Sequence, residues 1–92
     1  MRNKLLTFML ALLATAGTLS AQNRVTGTVS DDIGPVIGAS VMEKGTQNGA
    51  VTDLDGNYVI TVKPGATLVF SSIGYATQEI AVGNQSTVNV LL

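Results

Sequence analysis

The chain alternates apolar and polar residues in several short runs that begin near Val25. Within each run the apolar residues are two positions apart and many are β-branched, which is typical of a strand with one buried face. Glycine, proline, asparagine and aspartate separate the runs, so we expect tight turns between short strands. The pattern predicts an all-β domain, a small antiparallel sandwich or barrel of about seven strands. The runs are 25–30, 39–42, 58–62, 68–71, 79–82 and 88–92.

Glu43 interrupts this pattern, because it continues the face that includes Val41, where an apolar residue is expected. Burying an unpaired carboxylate is costly in free energy. We therefore expect the strand to have reached solvent at Glu43, close to Gly45. The alternative is that Glu43 forms an ion pair with Lys44 or Lys63 across the sheet, which would stabilise the fold little if it were exposed.

The first 21 residues differ in composition from the rest of the chain. Two cations, Arg2 and Lys4, precede an apolar run over residues 5–14, and small or weakly polar residues follow it. This order is typical of a secretory signal peptide. We therefore predict a cleaved signal helix over residues 1–21 and a single domain over residues 22–92.

We expect signal cleavage after Ala21, although cleavage after Ser20 stays open because Leu19 is larger than the residue usually found three positions before that site. The alternative of an uncleaved membrane anchor is disfavoured, because the apolar run has ten residues and a spanning helix needs about 20. A lipoprotein is excluded because the chain has no cysteine to carry the lipid.

Residues 22–92 carry three cations and six carboxylates, a formal net charge of −3. Such mild, scattered acidity argues against binding to nucleic acid and against a basic patch for membrane surfaces. The apolar content is high enough for a packed core. A domain of this size is marginally stable alone, and without cysteine it has no disulfide. We therefore expect efficient sheet packing or support from a larger partner.

The residue types that most catalytic and metal sites require are missing. The chain has no histidine, cysteine or tryptophan, so neither a His/Cys zinc site nor a Ser–His or Cys–His nucleophile pair can form. Asp31 and Asp32 are adjacent and would point to opposite faces of a strand, which suits acid–base catalysis poorly. We therefore predict no catalytic residue, no cofactor-binding residue, no metal ligand and no enzymatic activity.

Residues 53–57 (DLDGN) are the strongest turn signal of the chain. Aspartate and asparagine favour turns through local hydrogen bonds, and Gly56 can adopt a positive φ. The stretch has a superficial likeness to a calcium loop, but it lacks the residues that precede such a loop and the glutamate that follows it. We predict a structural hairpin turn, with calcium binding as the alternative.

Several short motifs stand in a fixed order: 25–31 (VTGTVSD), 34–41 (GPVIGASV), 44–46 (KGT), 48–49 (NG), 52–58 (TDLDGNY) and 70–75 (FSSIGY). Together they closely resemble the carboxypeptidase-regulatory-like domain, a transthyretin-like (prealbumin-like) β-sandwich. The resemblance is to the version at the N-terminus of SusC/RagA-type TonB-dependent outer-membrane transporters of Bacteroidetes, and it covers residues 24–92. Glu43 departs from the family, where valine or isoleucine is common at that position.

The resemblance implies a non-catalytic periplasmic extension ahead of the plug and barrel of a nutrient importer, often one for glycans. It implies export to the periplasmic face of a Gram-negative, Bacteroidetes-like outer membrane, with no membrane span in the mature chain. The implied partner is the plug or barrel of the transporter, or another cell-envelope protein. The transported substrate would be recognised outside this domain, so the sequence does not identify it.

The TonB box, plug and barrel that follow this domain in full-length family members are not found in these 92 residues. Two expectations follow. The chain is the N-terminal interaction module of such a transporter, or it is a stand-alone secreted or periplasmic sandwich that binds a protein or a glycan. The genomic sequence beyond residue 92 would distinguish the two.

We predict that the protein recovered from the periplasm begins at Gln22, or at the cyclised form of Gln22, because the charged start, the short apolar run and the small residues that follow favour cleavage there. N-terminal sequencing or mass spectrometry of the purified protein measures this directly. Intact residues 1–21 on the folded protein would refute the prediction.

Overall fold

The computed structural model describes residues 22–92, and the predicted signal segment 1–21 lies outside the described residues. The described part contains seven strands, and no helix in it is long and apolar enough to cross a membrane. The strands are β1 (Asn23–Ser30), β2 (Ser40–Glu43), β3 (Gly49–Val51), β4 (Asn57–Val62), β5 (Thr67–Ser71), β6 (Gln78–Ala81) and β7 (Val90–Leu91).

The strands form two sheets around a shared core, which confirms the predicted β-sandwich. One sheet has the order β4-β1-β7 and the other the order β3-β2-β5-β6. The β1–β7 pair departs from the antiparallel expectation, because it is parallel, with Val29 opposite Val90. The chain reaches β7 from β6 of the other sheet, so no tight hairpin fixes its direction. β3 is missing from the predicted runs because its three residues are too few to show an alternation.

Both sheets bury most of the apolar residues that the alternation predicts to face inward, and Ile80 and Leu92 are partly buried. Tyr58, Ile60 and Val62 of β4 are buried, and Leu68 and Phe70 of β5 are fully buried. The rings of Tyr58 and Phe70 meet edge to face across the sandwich, with centroids 5.5 Å apart and planes at 71°. The buried apolar residues are Val25, Val29, Val36, Ala39, Val41, Tyr58, Ile60, Val62, Leu68, Phe70, Val82, Val88 and Val90.

The hydroxyl of Tyr58 donates a buried hydrogen bond of 2.6 Å to the backbone carbonyl of Val88. The bond passes over Gly27 of β1, where a Cβ atom would clash with that carbonyl and lie 2.9 Å from the hydroxyl. Burial raises the pKa of Tyr58 to about 12, so the hydroxyl keeps its proton at neutral pH. β4 and the segment before β7 are therefore joined across β1 at a position without a side chain.

Glu43 is buried, so the expectation that it reaches solvent is wrong. Its Oε1 accepts a hydrogen bond of 3.0 Å from the side-chain amide of Asn48, and its Oε2 accepts one of 3.4 Å from the backbone N–H of Lys63. The alternative of an ion pair with a lysine is also wrong within residues 22–92, where Lys44 pairs instead with Glu79 at 2.6 Å. These two neutral donors replace hydrogen bonds to water that the carboxylate loses when it is buried.

The turn over residues 53–57 is present, but it does not close the predicted hairpin, because β3 and β4 belong to different sheets. The turn itself is tight. The N–H of Gly56 donates to the carbonyl of Asp53 and the N–H of Asp53 donates to the carbonyl of Asn57, each at 3.0 Å. It therefore carries the chain over one end of the sandwich, from the four-stranded sheet to the three-stranded sheet.

We predict that Phe70→Ala lowers the free energy of unfolding by about 3–5 kcal/mol, because it removes a fully buried ring from the centre of the core. A domain this small has a total stability of about 5 kcal/mol, so the variant should be largely unfolded. Denaturation followed by circular dichroism measures the change.

The matched control is Val59→Ala on the solvent-facing side of β4, where Val59 is exposed. It should lower the stability by about 1 kcal/mol or less. A cooperative melt of the Phe70 variant within a few degrees of the wild type would contradict the packing described above.

Candidate interaction site

Three loops meet at one end of the sandwich. β2 begins where β3 and β5 end, because Ser40 pairs with both Val51 and Ser71. β1 ends beside the last residues of the chain, because Ser30 pairs with Leu91. The segments gathered at this end are the loops 31–39, 52–56 and 72–77 and residue 92.

The exposed large apolar side chains of the described residues are concentrated at this end. Seven of the eight lie there, and the eighth, Val59, is on β4. The side chains of Ile33 and Ile73 are 96% and 101% exposed, so they pack against almost nothing in the domain. We call this surface the apolar end. Its members are Ile33, Ile37, Val51, Leu54, Ile73, Tyr75 and Leu91.

An open groove of about 610 Å³ lies at the apolar end, beside β2 and β5. Ser40 and Ser71 are paired neighbours on these two strands, so short side chains cover the sheet at this point. Isoleucines contribute the apolar part of the lining. A groove of this volume accommodates a few side chains of a partner. Its lining residues are Ile37, Gly38, Ser40, Ser71, Ser72 and Ile73.

Thr52 fixes the loop 31–39 in place, and its side chain is buried. Its Oγ1 donates a hydrogen bond of 2.6 Å to the carbonyl of Val36 and accepts one of 2.8 Å from the N–H of Ala39. The N–H of Gly38 also donates to the carbonyl of Thr52, at 3.1 Å. The loop is therefore held by hydrogen bonds, and its isoleucines are free to face solvent.

Asp53 and Gly56 shape the neighbouring loop. Oδ1 of Asp53 accepts hydrogen bonds of 2.9 Å from the N–H groups of both Asp55 and Asn57. Gly56 has a φ of 76°, and a Cβ atom there would lie 2.6 Å from the carbonyl of Val29, so a side chain is excluded both by backbone strain and by space. The structure thus gives Asp53 a role in the turn itself. Within residues 22–92 no group of three or more acidic residues is placed to hold a metal ion.

A side-chain hydrogen bond joins the loops 31–39 and 72–77. The hydroxyl of Tyr75 donates to Oδ2 of Asp31, while Oδ1 accepts bonds of 2.8 and 2.9 Å from the N–H groups of Ile33 and Gly34. The hydrogen bond from Tyr75, followed by those two backbone bonds, holds the pKa of Asp31 below its ordinary value. The same side-chain bond raises the pKa of Tyr75. Asp31 therefore stays ionised at neutral pH.

Charge is divided between the two ends of the domain. All four aspartates of the described residues lie in the loops of the apolar end, two in the loop 31–39 and two in the loop 52–56. The three cations of the described residues lie towards the opposite end, one near the start of β1, one after β2 and one after β4. The aspartates are Asp31, Asp32, Asp53 and Asp55, and the cations are Arg24, Lys44 and Lys63.

Comparison with protein families matches residues 25–92 to the CarboxypepD_reg-like domain. The chain belongs to this family. The match covers all of the strands except the first residues of β1, and it includes the loops of the apolar end.

Curated relatives of the domain are TonB-dependent receptors. TonB-dependent receptor P39 of Formosa agariphila is 45% identical over 92 residues, which cover 95% of this chain and 9% of the receptor. TonB-dependent receptor SusC of Bacteroides thetaiotaomicron is 42% identical over 89 residues, which cover 96% of this chain and 9% of the receptor. The chain therefore spans about a tenth of the length of these relatives, which are named as receptors and not as enzymes.

Solved structures with the same fold come from type II cohesin–X–dockerin complexes of Acetivibrio cellulolyticus. A chain of the complex with a mutated N-terminal interface matches with a TM-score of 0.62 and 27% identity, over 74% of this chain and 52% of that chain. A chain of the complex with a mutated C-terminal interface matches with a TM-score of 0.60 and 25% identity, over 75% and 52% of the two chains. Both matches support the β-sandwich.

The sequence predicts no site residue, and its patterns do not indicate the apolar end. The exposed isoleucines lie in turn regions, where no periodicity marks a face, and they come together only because the topology places three loops at one end. The available signal was the presence of large apolar residues inside segments that are otherwise rich in glycine and aspartate, as in 31–34 (DDIG) and 53–56 (DLDG). In this domain Ile33 and Leu54, the apolar residues of these two segments, are exposed.

We predict that Tyr75→Phe raises the pKa of Asp31, because the variant removes the strongest hydrogen bond to the carboxylate and leaves the two backbone bonds. In the wild type, this carboxylate adds stability at neutral pH that is lost as the pH falls through its lowered folded-state pKa. The variant should therefore lose less stability between neutral and acidic pH. A carboxyl-carbon NMR titration measures the pKa.

Ile73→Ala is the matched control, since it changes an exposed side chain in the same loop without touching the hydroxyl. It should leave the titration of Asp31 unchanged. An unshifted titration in the Tyr75 variant would show that the side-chain bond does not control this carboxylate.

Proposed function

We propose that residues 22–92 form a non-catalytic, periplasmic interaction module at the N-terminus of a SusC-like TonB-dependent outer-membrane transporter for nutrients such as glycans. The module contacts the plug or barrel of that transporter, or another cell-envelope protein, through the apolar end. The observation that carries this proposal is the gathering of seven exposed apolar side chains at the end where residue 92 lies.

The position of residue 92 favours contact at this end. The N–H of Leu92 donates a hydrogen bond of 2.8 Å to the carbonyl of Ser30, so this residue lies beside the loop 31–39. In receptors of the length of the relatives, the residues that follow would leave the domain here. The parts of the receptor that come next would then pass close to the exposed isoleucines.

The energetics also favour contact. Large apolar side chains gathered and exposed at one end of a domain are a feature of interaction sites. The loops of the apolar end are fixed by Thr52, Asp53 and the Asp31–Tyr75 bond, so binding would order little additional backbone. The similar sandwich in a cohesin–X–dockerin complex also belongs to a protein assembly, which supports the same kind of role.

The proposal includes export. The predicted signal peptide, residues 1–21, would direct the chain out of the cytoplasm, and the domain would act on the periplasmic side of the outer membrane. The absence of cysteine means that folding there needs no disulfide chemistry.

In-cell photo-cross-linking tests the proposed contact. The gene is kept at its chromosomal position, so that any residues encoded after 92 are present. A photo-cross-linking amino acid replaces Ile73, which is fully exposed at the apolar end. We expect an adduct with the transporter itself or with a cell-envelope protein, identified by mass spectrometry.

The matched control carries the same amino acid in place of Val59, which is apolar and exposed but lies on β4, away from the apolar end. This position should give little or no adduct. Equal yields at the two positions, or no adduct at Ile73, would contradict the proposal.

A further inference from the structure

The carboxylates of the apolar end flank its apolar side chains directly. Asp31 and Asp32 precede Ile33, and Asp53 and Asp55 stand on either side of Leu54. Both apolar side chains are exposed. A partner that covers them must therefore pass within reach of the aspartates, so the charge of the partner matters for binding.

Two of these carboxylates are available to a partner. Asp31 and Asp53 already accept hydrogen bonds from N–H groups of their own turns. Asp32 and Asp55 are exposed, and neither side chain forms a hydrogen bond or an ion pair within residues 22–92. The described cations lie towards the other end of the domain, and one of them, Lys44, is already paired with Glu79. The negative charge of the apolar end is thus not neutralised by the domain itself.

We propose that the occupant of the apolar end is a protein segment that combines apolar side chains with lysine or arginine. Its apolar side chains enter the groove between Ile37 and Ile73, and its cations face Asp32 and Asp55. This inference rests on the proposed function, which supplies the contact, and it adds the chemistry of the partner.

Other occupants fit these residues poorly. A second copy of the domain that docked through the same end would bring its four aspartates against these four. Nucleic acid would meet the same repulsion. The small residues of the groove, Gly38, Ser40, Ser71 and Ser72, leave room for branched or straight apolar side chains to approach the sheet. An apolar contact in the groove combined with charged contacts outside it is the ordinary arrangement of a protein interface.

The test uses the chromosomal gene with the photo-cross-linking amino acid at Ile73, now combined with Asp32→Asn and Asp55→Asn. Neither side chain holds the fold together, so the variant should keep its structure, which its melting temperature checks. We expect the adduct yield to fall about fivefold, because two exposed charge pairs are lost. The matched control is Glu79→Gln, an exposed carboxylate on β6, which should leave the yield unchanged.

Two further measurements identify the partner. Raising the ionic strength of isolated envelopes from ~0.1 M to ~1 M shortens the Debye length from ~10 Å to ~3 Å and should lower the yield in the wild type but not in the Asp32/Asp55 variant. Mass spectrometry of the adduct should place the cross-link in a protein segment with lysine or arginine close to apolar residues.

An adduct that persists at full yield in the Asp32/Asp55 variant, or one formed with an acidic segment, a lipid or a second copy of the chain, would overturn this inference. The contact itself would still stand where the adduct is with an envelope protein. Loss of the adduct at Ile73 in the otherwise unchanged protein would instead overturn the proposed function.

Discussion

Tyr58 joins the parts of the sandwich, because its hydroxyl donates a hydrogen bond to the carbonyl of Val88 across Gly27. Tyr58 belongs to β4 and Val88 leads into β7, so the bond joins the two strands that flank β1. It forms only because β1 has no side chain at that point. The same ring packs against Phe70 of the other sheet. Tyr58 therefore joins β4 to the segment before β7 and also packs the three-stranded sheet against the four-stranded sheet.

The position of residue 92 at the apolar end agrees with this contact. With Val88 fixed beside β1, the chain continues parallel to β1 and reaches the carbonyl of Ser30 at its last residue. An antiparallel β7 would have finished at the opposite end, beside the loops that carry the lysines. The parallel pairing thus places the end of the described chain among the exposed isoleucines. Within residues 22–92 the fold has no disulfide, and no buried side-chain polar atom there lacks a hydrogen-bond partner.

Much of the fold was predictable from the sequence, because alternating apolar and polar residues indicate the buried face of any strand that is long enough to show the alternation. β4 buries every second residue, as its pattern predicts, and β5 does the same. β3 and the direction of β7 were not predictable, since a strand of three residues has no period and parallel pairing depends on a distant crossover. The burial of Glu43 was not predictable, because its carboxylate is compensated by the amide of Asn48, which the sequence shows only as part of a turn. The family resemblance did not depend on these details, because it rests on the order of the turn motifs along the chain.

The apolar end could not be predicted from the sequence, for a physical reason that also bears on its role. In most turns a large apolar residue either packs back onto the domain or is replaced by a polar one, because exposing it has no benefit for folding. Here the turns are held by polar groups: Thr52 binds the loop 31–39, Asp53 closes its own turn, and Asp31 is bound by Tyr75. The isoleucines contribute nothing to this arrangement and remain exposed. Hydrogen-bonded loops with exposed apolar side chains support the proposed contact with a partner. The exposed carboxylates of Asp32 and Asp55 support the proposal that this partner carries lysine or arginine.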